Sequence, residues 1–260
     1  VAAAAGSAGG KRPQSPRREG GGTRKKKRKA RASGKPVTTR HLTKCFGWAN
    51  TGEVHRQHDS HELNRVLLDK VFEEVKGTPV ESKIRSLLLG KTDEYLRCLD
   101  VDCERSREED FYDISLPVPA DRGTTLDEAL ASYQTEEVLS DPWRPNERLG
   151  PQRAAKGSRF IKFPPLLFIH LARFTFDPRT MTRRKVNSRF EFPESMDARR
   201  HLHSGGGGGG TSLYDLQAVV VHSGGAGGGH YVAFVRLAAA GAARRCWARF
   251  DDARVRWATA

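Results

Sequence analysis

The sequence predicts an α+β protein, and three observations carry that expectation. Apolar residues recur at helical spacing early in the chain, over about 60–76. Segments rich in Val, Leu and aromatic residues stand late, at 166–174, 213–221, 230–237 and 246–250, as strands do. The links between them are long and irregular, unlike alternating strand–helix–strand units.

Each element has a local cause. Asp59 followed by Glu62 is a capping-box-like start, after which Leu63, Val66, Leu67, Val71 and Val75 share one helical side until Gly77 supplies a stop. Tyr112, Ile114, Leu116 and Val118 alternate with Asp113, Ser115 and Pro117, the pattern of a half-buried strand. Thr125 with Glu128 is a second cap, opening a short helix with Leu126, Ala129, Leu130 and Tyr133 on one face. Val219–His222 and His230–Val235 read as antiparallel strands joined by Ser223–Gly229, whose glycines permit a tight turn and close approach of another chain. Gly205–Gly210 and the Ala/Gly tract at 238–243 read as expanded loops.

The net charge of +14 suggests an anionic partner until it is located. Residues 1–40 carry 13 Lys/Arg against the single acid Glu19, which accounts for twelve of those charges and leaves the body nearly neutral. Residues 1–34 hold no aromatic and one large aliphatic, too little apolar surface to offset chain entropy, so a disordered basic tail is expected. Its cluster Arg24–Lys29 (RKKKRK) is of the nuclear-import or nucleic-acid-patch kind, giving an expected nuclear and/or cytoplasmic location. Beyond that tail there is no second basic face for nucleic acid. No apolar run is long enough to span a membrane, and the Val1–Ala5 opening does not read as a secretory signal. Cys45, Cys98, Cys103 and Cys246 suggest no disulfide framework.

The chemistry concentrates in HSGGAGGGHYVAFV at 222–235 and in Phe250, Asp251 and Asp252. In a strand meander His230 and Asp251 meet at neighbouring strand ends, where the carboxylate can hold the imidazole tautomer. Residue types alone leave His230 open between acid–base work and a structural role. A metal held by His222, His230 and Asp251 lacks recognisable ligand spacing, and Cys98 with Cys103 make only half of a structural zinc site. A phosphate cradle is disfavoured because a strand, not a helix, follows the glycines. Asp59 serves first as a helix cap, and a carboxylate there can also receive a guanidinium.

In order along the chain, LTKCFGW (42–48), QHD (57–59), YDISL (112–116), PPLLFIHLARF (164–174), RFEFPE (189–194), AVVVHSG (218–224), GGHYV (228–232) and FDD (250–252) resemble the ubiquitin-specific proteases, papain-like thiol isopeptidases, with the nearest likeness to their herpesvirus-associated branch. The resemblance implies the papain-like fold of palm, fingers and part of the thumb over residues 35–260. It implies His230 as catalytic base, Asp251 as its orienter and Asp252 as a supporting neighbour. Gln57 and Asp59 are then similar to residues gripping the arginine-bearing tail of ubiquitin, and Phe174, His222 and Tyr231 to walls of the channel for its terminal Gly-Gly. No metal and no cofactor are implied. The expected partners are ubiquitin and ubiquitinated proteins.

Two departures qualify the expectation. The family's nucleophile box, Gly-x-x-Asn-x-x-x-Thr-Cys-(Tyr/Phe)-x-Asn, has no counterpart in residues 1–56, and Cys45 does not stand in such a box. The chain also stops before the closing strand and helix of the family, so a domain truncated at both ends is expected. The helix at 60–76 would then expose the side that packs on the nucleophile helix. The alternative is a catalytically dead ubiquitin-binding protein.

Overall fold

The computed structural model describes residues 38–45, 59–203, 213–238 and 245–258. The basic tail, Gln57, the Gly205–Gly210 tract and the Ala/Gly tract beyond Ala238 lie outside the described residues.

Three helices come first: α1 (Arg40–Cys45), α2 (Ser60–Val75) and α3 (Glu81–Leu88). Asp59, in extended backbone, caps α2 by accepting the His61 amide at 2.9 Å, so its bond goes to His61 rather than to the box partner that the sequence suggested. Gly77, at φ 74°, follows as the stop. The helix buries only Leu68, whereas Leu63 and Leu67 remain 38% and 36% exposed. One side of α2 is therefore apolar and open.

The chain then runs out into an antiparallel hairpin, β1 (Gly90–Cys98) and β2 (Glu104–Phe111), and returns as β3 (Asp113–Pro117). After β4 (Thr124–Thr125) comes α4 (Leu126–Tyr133), whose Thr125 and Glu128 form both bonds of the anticipated capping box. The strands β5 (Glu137–Val138) and β6 (Ala154–Lys162) complete a four-stranded sheet in the order β2-β1-β6-β5. This sheet escaped the sequence reading because β2 (ERSREEDF) is exposed until its last residue and carries no apolar alternation. The backbone ladder with β1 holds that strand, and ion pairs lie across the sheet: Lys91 to Glu108 at 2.8 Å, and Arg159 to Asp93 and Glu104 at 2.8 and 2.5 Å.

The next strand, β7 (Phe168–Ala172), pairs in parallel with β3, placing Ile114 beside Ile169 and Leu116 beside Leu171. This pair, α4 and the end of β6 enclose the core, where Leu116, Leu130 and Phe160 are fully buried. A second hairpin, β8 (Phe174–Asp177) and β9 (Thr182–Lys185), leads through β10 (Phe190–Glu191) and β11 (Ser195–Asp197) to β12 (Leu213–Asp215). The expected strand over 213–221 is in fact two. Between them Leu216 donates to Glu194 and Gln217 accepts from Arg236, so the chain changes sheets there.

The last sheet is a meander of β13 (Ala218–Gly225), β14 (Gly228–Ala238), β15 (Arg245–Asp251) and β16 (Arg254–Trp257), in that order. The connection expected over Ser223–Gly229 is shorter than that, because the ladder continues through Gly224↔Gly229 to Gly225↔Gly228. Only Ala226 and Gly227 form the turn. No helix among the described residues is long and apolar enough to cross a membrane.

This packing predicts that Leu116→Ala destabilises the chain by about 2–5 kcal/mol, against less than about 1 kcal/mol for Leu67→Ala on the open side of α2. Urea midpoints of the two variants check it; equal losses would contradict the placement of the core.

Candidate active site

The meander brings the two residues of the histidine–carboxylate pair together from opposite directions. β14 begins two residues before His230 and β15 ends on Asp251, and the antiparallel register sets Ala233 opposite Phe250. His230 Nε2 and Asp251 Oδ1 then stand 2.7 Å apart, a short charge-assisted hydrogen bond. The second carboxylate oxygen of Asp251 accepts from Arg249 Nη2 at 2.8 Å. Both oxygens are thus engaged, and the carboxylate cannot swing away from the ring. Asp252 sits in the turn at φ 50°, 82% exposed, with Oδ2 4.0 Å from His230 Nε2. It contributes charge beside the ring without a hydrogen bond to it.

Valence then fixes what the ring can do. With Nε2–H donated to Asp251, the neutral ring carries its lone pair on Nδ1, the nitrogen free to take a proton. The Asp251 bond raises the His230 pKa above its ordinary value, with burial opposing, and the same bond lowers that of Asp251. A base of this kind stabilises a charged imidazolium, as a thiolate partner requires. His230, Asp251 and Asp252 also offer three ligand atoms within 4.8 Å of one another. The direct 2.7 Å bond between two of them marks a hydrogen-bonded pair.

A cleft of about 550 Å³ lies beside the β13–β14 hairpin, lined by Asp59, His170, Arg173, Phe174, His222 and Tyr231 among others. Four of the predicted binding residues are therefore brought together from the mouth of α2 and from β8, β13 and β14; Gln57, the fifth, lies outside the described residues. The Phe174 ring meets His222 edge-on at 5.4 Å, and the Tyr231 ring lies 4.8 Å from it, tilted. Gly229 runs under that ring so closely that an added Cβ would come within 2.4 Å of His222 Nε2. His222 Nδ1 is buried with no hydrogen-bond partner among the described residues. Burial, reinforced by the nearby Lys185 ammonium, lowers its pKa.

Two histidines absent from the sequence reading stand beside the cleft, and His170 lines it. His61 and His170 stack at 3.8 Å with their planes 5° apart. His61 Nε2 bonds buried Asp113 at 2.9 Å, and His170 Nδ1 bonds Ser115 at 2.9 Å. Burial, and then the adjoining His61, bring His170 down to about 4. Arg249 and Lys185 were also missed. Arg249 is two residues from Asp251 on the same strand, a period-2 signal that could have revealed it. Lys185 meets the hairpin across 37 residues, a contact that no local pattern announces.

An antiparallel meander here holds a histidine against a carboxylate, the geometry that acid–base catalysis in hydrolases uses. The family model for ubiquitin carboxyl-terminal hydrolases matches residues 23–260, and the chain belongs to that family. It is 36% identical over 235 residues to ubiquitin carboxyl-terminal hydrolase 15 of Saccharomyces cerevisiae (86% of this chain, 18% of that protein). It is 41% identical over 219 residues to ubiquitin carboxyl-terminal hydrolase 7 of Drosophila melanogaster (84% and 19%) and 39% identical over 235 residues to ubiquitin C-terminal hydrolase 12 of Arabidopsis thaliana (87% and 20%). The chain thus spans about a fifth of the length of these relatives. Among solved structures, the SAGA Ubp8/Sgf11/Sus1/Sgf73 DUB module bound to ubiquitin aldehyde matches with a TM-score of 0.70 and 23% identity, over 84% of this chain and 50% of that one. The fold is that of the ubiquitin-specific protease domain, as expected.

Two pH effects follow. Asp251→Asn should return the His230 midpoint toward 6.5, read by NMR of the ring protons. An unchanged midpoint would show that Asp251 is not its partner. Folded His170 titrates near 4, below its unfolded value of 6.5, so its contribution to stability is complete above 6.5 and is lost as pH falls toward 4. His170→Gln should lessen the acid loss by on the order of 2–3 kcal/mol, measured by urea unfolding at pH 7 and pH 4.5.

Proposed function

We propose that this chain supplies the acid–base pair and the tail-binding cleft of a cysteine-type deubiquitinase, which hydrolyses the isopeptide bond after the ubiquitin C-terminal glycine. The observation that carries the reading is the 2.7 Å bond from His230 to Asp251, one rung along the β13–β14 ladder from His222 and Tyr231, which line the cleft with Phe174. The reading rests further on the family membership, and on the ubiquitin aldehyde bound to the DUB module whose fold this chain shares.

In this reading the thiol comes from a segment outside residues 1–260, since residues 1–56 hold no counterpart of the nucleophile box. The open apolar side of α2, with Leu63 and Leu67, is where the segment bearing it would pack. His230 Nδ1 takes the thiol proton, and the thiolate attacks the carbonyl carbon of the terminal glycine. The imidazolium, steadied by Asp251, returns that proton to the departing lysine amine as the C–N bond breaks and a thioester forms. His230 then takes a proton from water, whose oxygen attacks the thioester and expels the thiolate.

The cleft accounts for the choice of substrate. Three rings crowd the channel, so only a tail without side chains fits between them. Asp59, at the amino end of α2, would hold an arginine guanidinium, and the His222 ring would wall the tail. The reading takes ubiquitinated proteins as the substrates; the motif order supports a likeness to the herpesvirus-associated branch, and the basic cluster suits nuclear and/or cytoplasmic residence.

The test is hydrolysis of ubiquitin carrying a fluorogenic C-terminal amide by the full-length gene product. His230→Ala should lower kcat/KM by at least about 10³-fold. Asp59→Ala should cost about 10- to 100-fold, expressed mainly in KM. Activity that survives His230→Ala would end this reading.

A further inference from the structure

The glycine hairpin that carries His230 has a weakness that the pair itself does not repair. From Ser223 to His230 every residue except Ala226 is exposed, and five of the eight are glycines. Such a ribbon loses much chain entropy on ordering and has almost no side chains with which to recover it. β13 is also an edge strand of its sheet, so one row of its carbonyls faces away from the ladder.

One cation meets that edge. Lys185 Nζ, on β9 of the neighbouring hairpin, donates to the His222 carbonyl at 2.9 Å and to the Gly224 carbonyl at 3.1 Å. These two carbonyls bracket Ser223, the residue registered opposite His230. The same rung of the second hairpin, Phe174↔Lys185, delivers the phenyl ring that meets His222 at 5.4 Å. The contact therefore has two points, a ring on a ring and an ammonium on a carbonyl pair, and both come from one rung.

We infer that Lys185 is a positioning residue for the reaction, fastening the free edge of β13 so that the hairpin holds His230 against Asp251. The inference rests on the deubiquitinase reading for its consequence in catalysis, but the fastening itself is independent of it. Lys185 touches neither the reacting ring nor Asp251; it acts through strand β13 and the Ser223↔His230 rung. Gly224, at φ 129°, leaves no room for a side chain, because a Cβ there would lie 2.6 Å from Gly228 O, so the two backbones approach closely at this point. Burial, and then the nearby Arg173 guanidinium, lower the Lys185 pKa.

The structure also contains a second example of this device. Arg173 Nη1 donates to the Val186 carbonyl at 3.0 Å and to the Ser188 carbonyl at 2.9 Å, again two acceptors two residues apart. A guanidinium can therefore bridge the same spacing, which makes Lys185→Arg the conservative replacement.

The experiment follows the His230 ring by NMR in the 260-residue chain, with its signal assigned through His230→Gln. The groups that set its midpoint are Asp251, Asp252 and Arg249, none of which is altered. Lys185→Met should bring the His230 midpoint back toward 6.5, while Lys185→Arg keeps it raised. Should Lys185→Met melt too early to titrate, Lys185→Gln removes the charge more gently and carries the same expectation. In the full-length gene product, Lys185→Met should lower kcat by about 100-fold, as a misplaced base does, and Lys185→Arg should restore most of it. A folded Lys185→Met or Lys185→Gln chain with an undisturbed His230 midpoint would overturn the inference. If the full-length product cleaves no ubiquitin derivative, the functional reading fails, and the NMR arm still decides the role of Lys185.

Discussion

The antiparallel register of β13, β14 and β15 is the constraint on which the rest of the site depends. A base and its orienter must stand within hydrogen-bond reach, and here they belong to strands that run in opposite directions. One residue of slip would turn His230 to the other face of the sheet and separate it from Asp251. The register is held from both sides: Arg249 pins the carboxylate, and Gly224 and Gly229 let the hairpin backbones close without side chains between them.

The cleft depends on that hairpin in turn. His222 is one rung from His230 and is held by Phe174, Tyr231 and the backbone of Gly229. Asp59 enters from the mouth of α2, where the helix N-terminus favours a carboxylate and the His61 amide fixes its direction. His170, which lines the cleft, stacks on His61, and the two rest on Ser115 and Asp113, near and at the start of β3. The core reaches the cleft directly as well, through Leu171 and Phe190.

Much of this was legible in the sequence, for physical reasons. The Thr125–Glu128 box, the alternation through Ile114 and Leu116, and the approach of His230 to Asp251 are local or near-local patterns, and each is present as read. The four-stranded sheet of β1, β2, β5 and β6 was not legible, because its outer strand is nearly all charge and lacks a buried face. The hairpin turn was read too wide, since a run of glycines hides how far a ladder continues. Lys185 and the His61–His170 stack were missed because their partners are brought near only by the parallel pairing of β3 with β7 and by the docking of two hairpins.

The most direct test of the central claim uses ubiquitin bearing a thiol-reactive group at its carboxyl terminus, added to the full-length gene product, with any adduct located by peptide mass. The account predicts one covalent adduct, on a cysteine outside residues 1–260, that forms at least about ten times more slowly in the Asp251→Asn variant as the orientation of the base is lost. No adduct, with ubiquitin still bound reversibly, would contradict it and leave a protein that binds ubiquitin without cutting it.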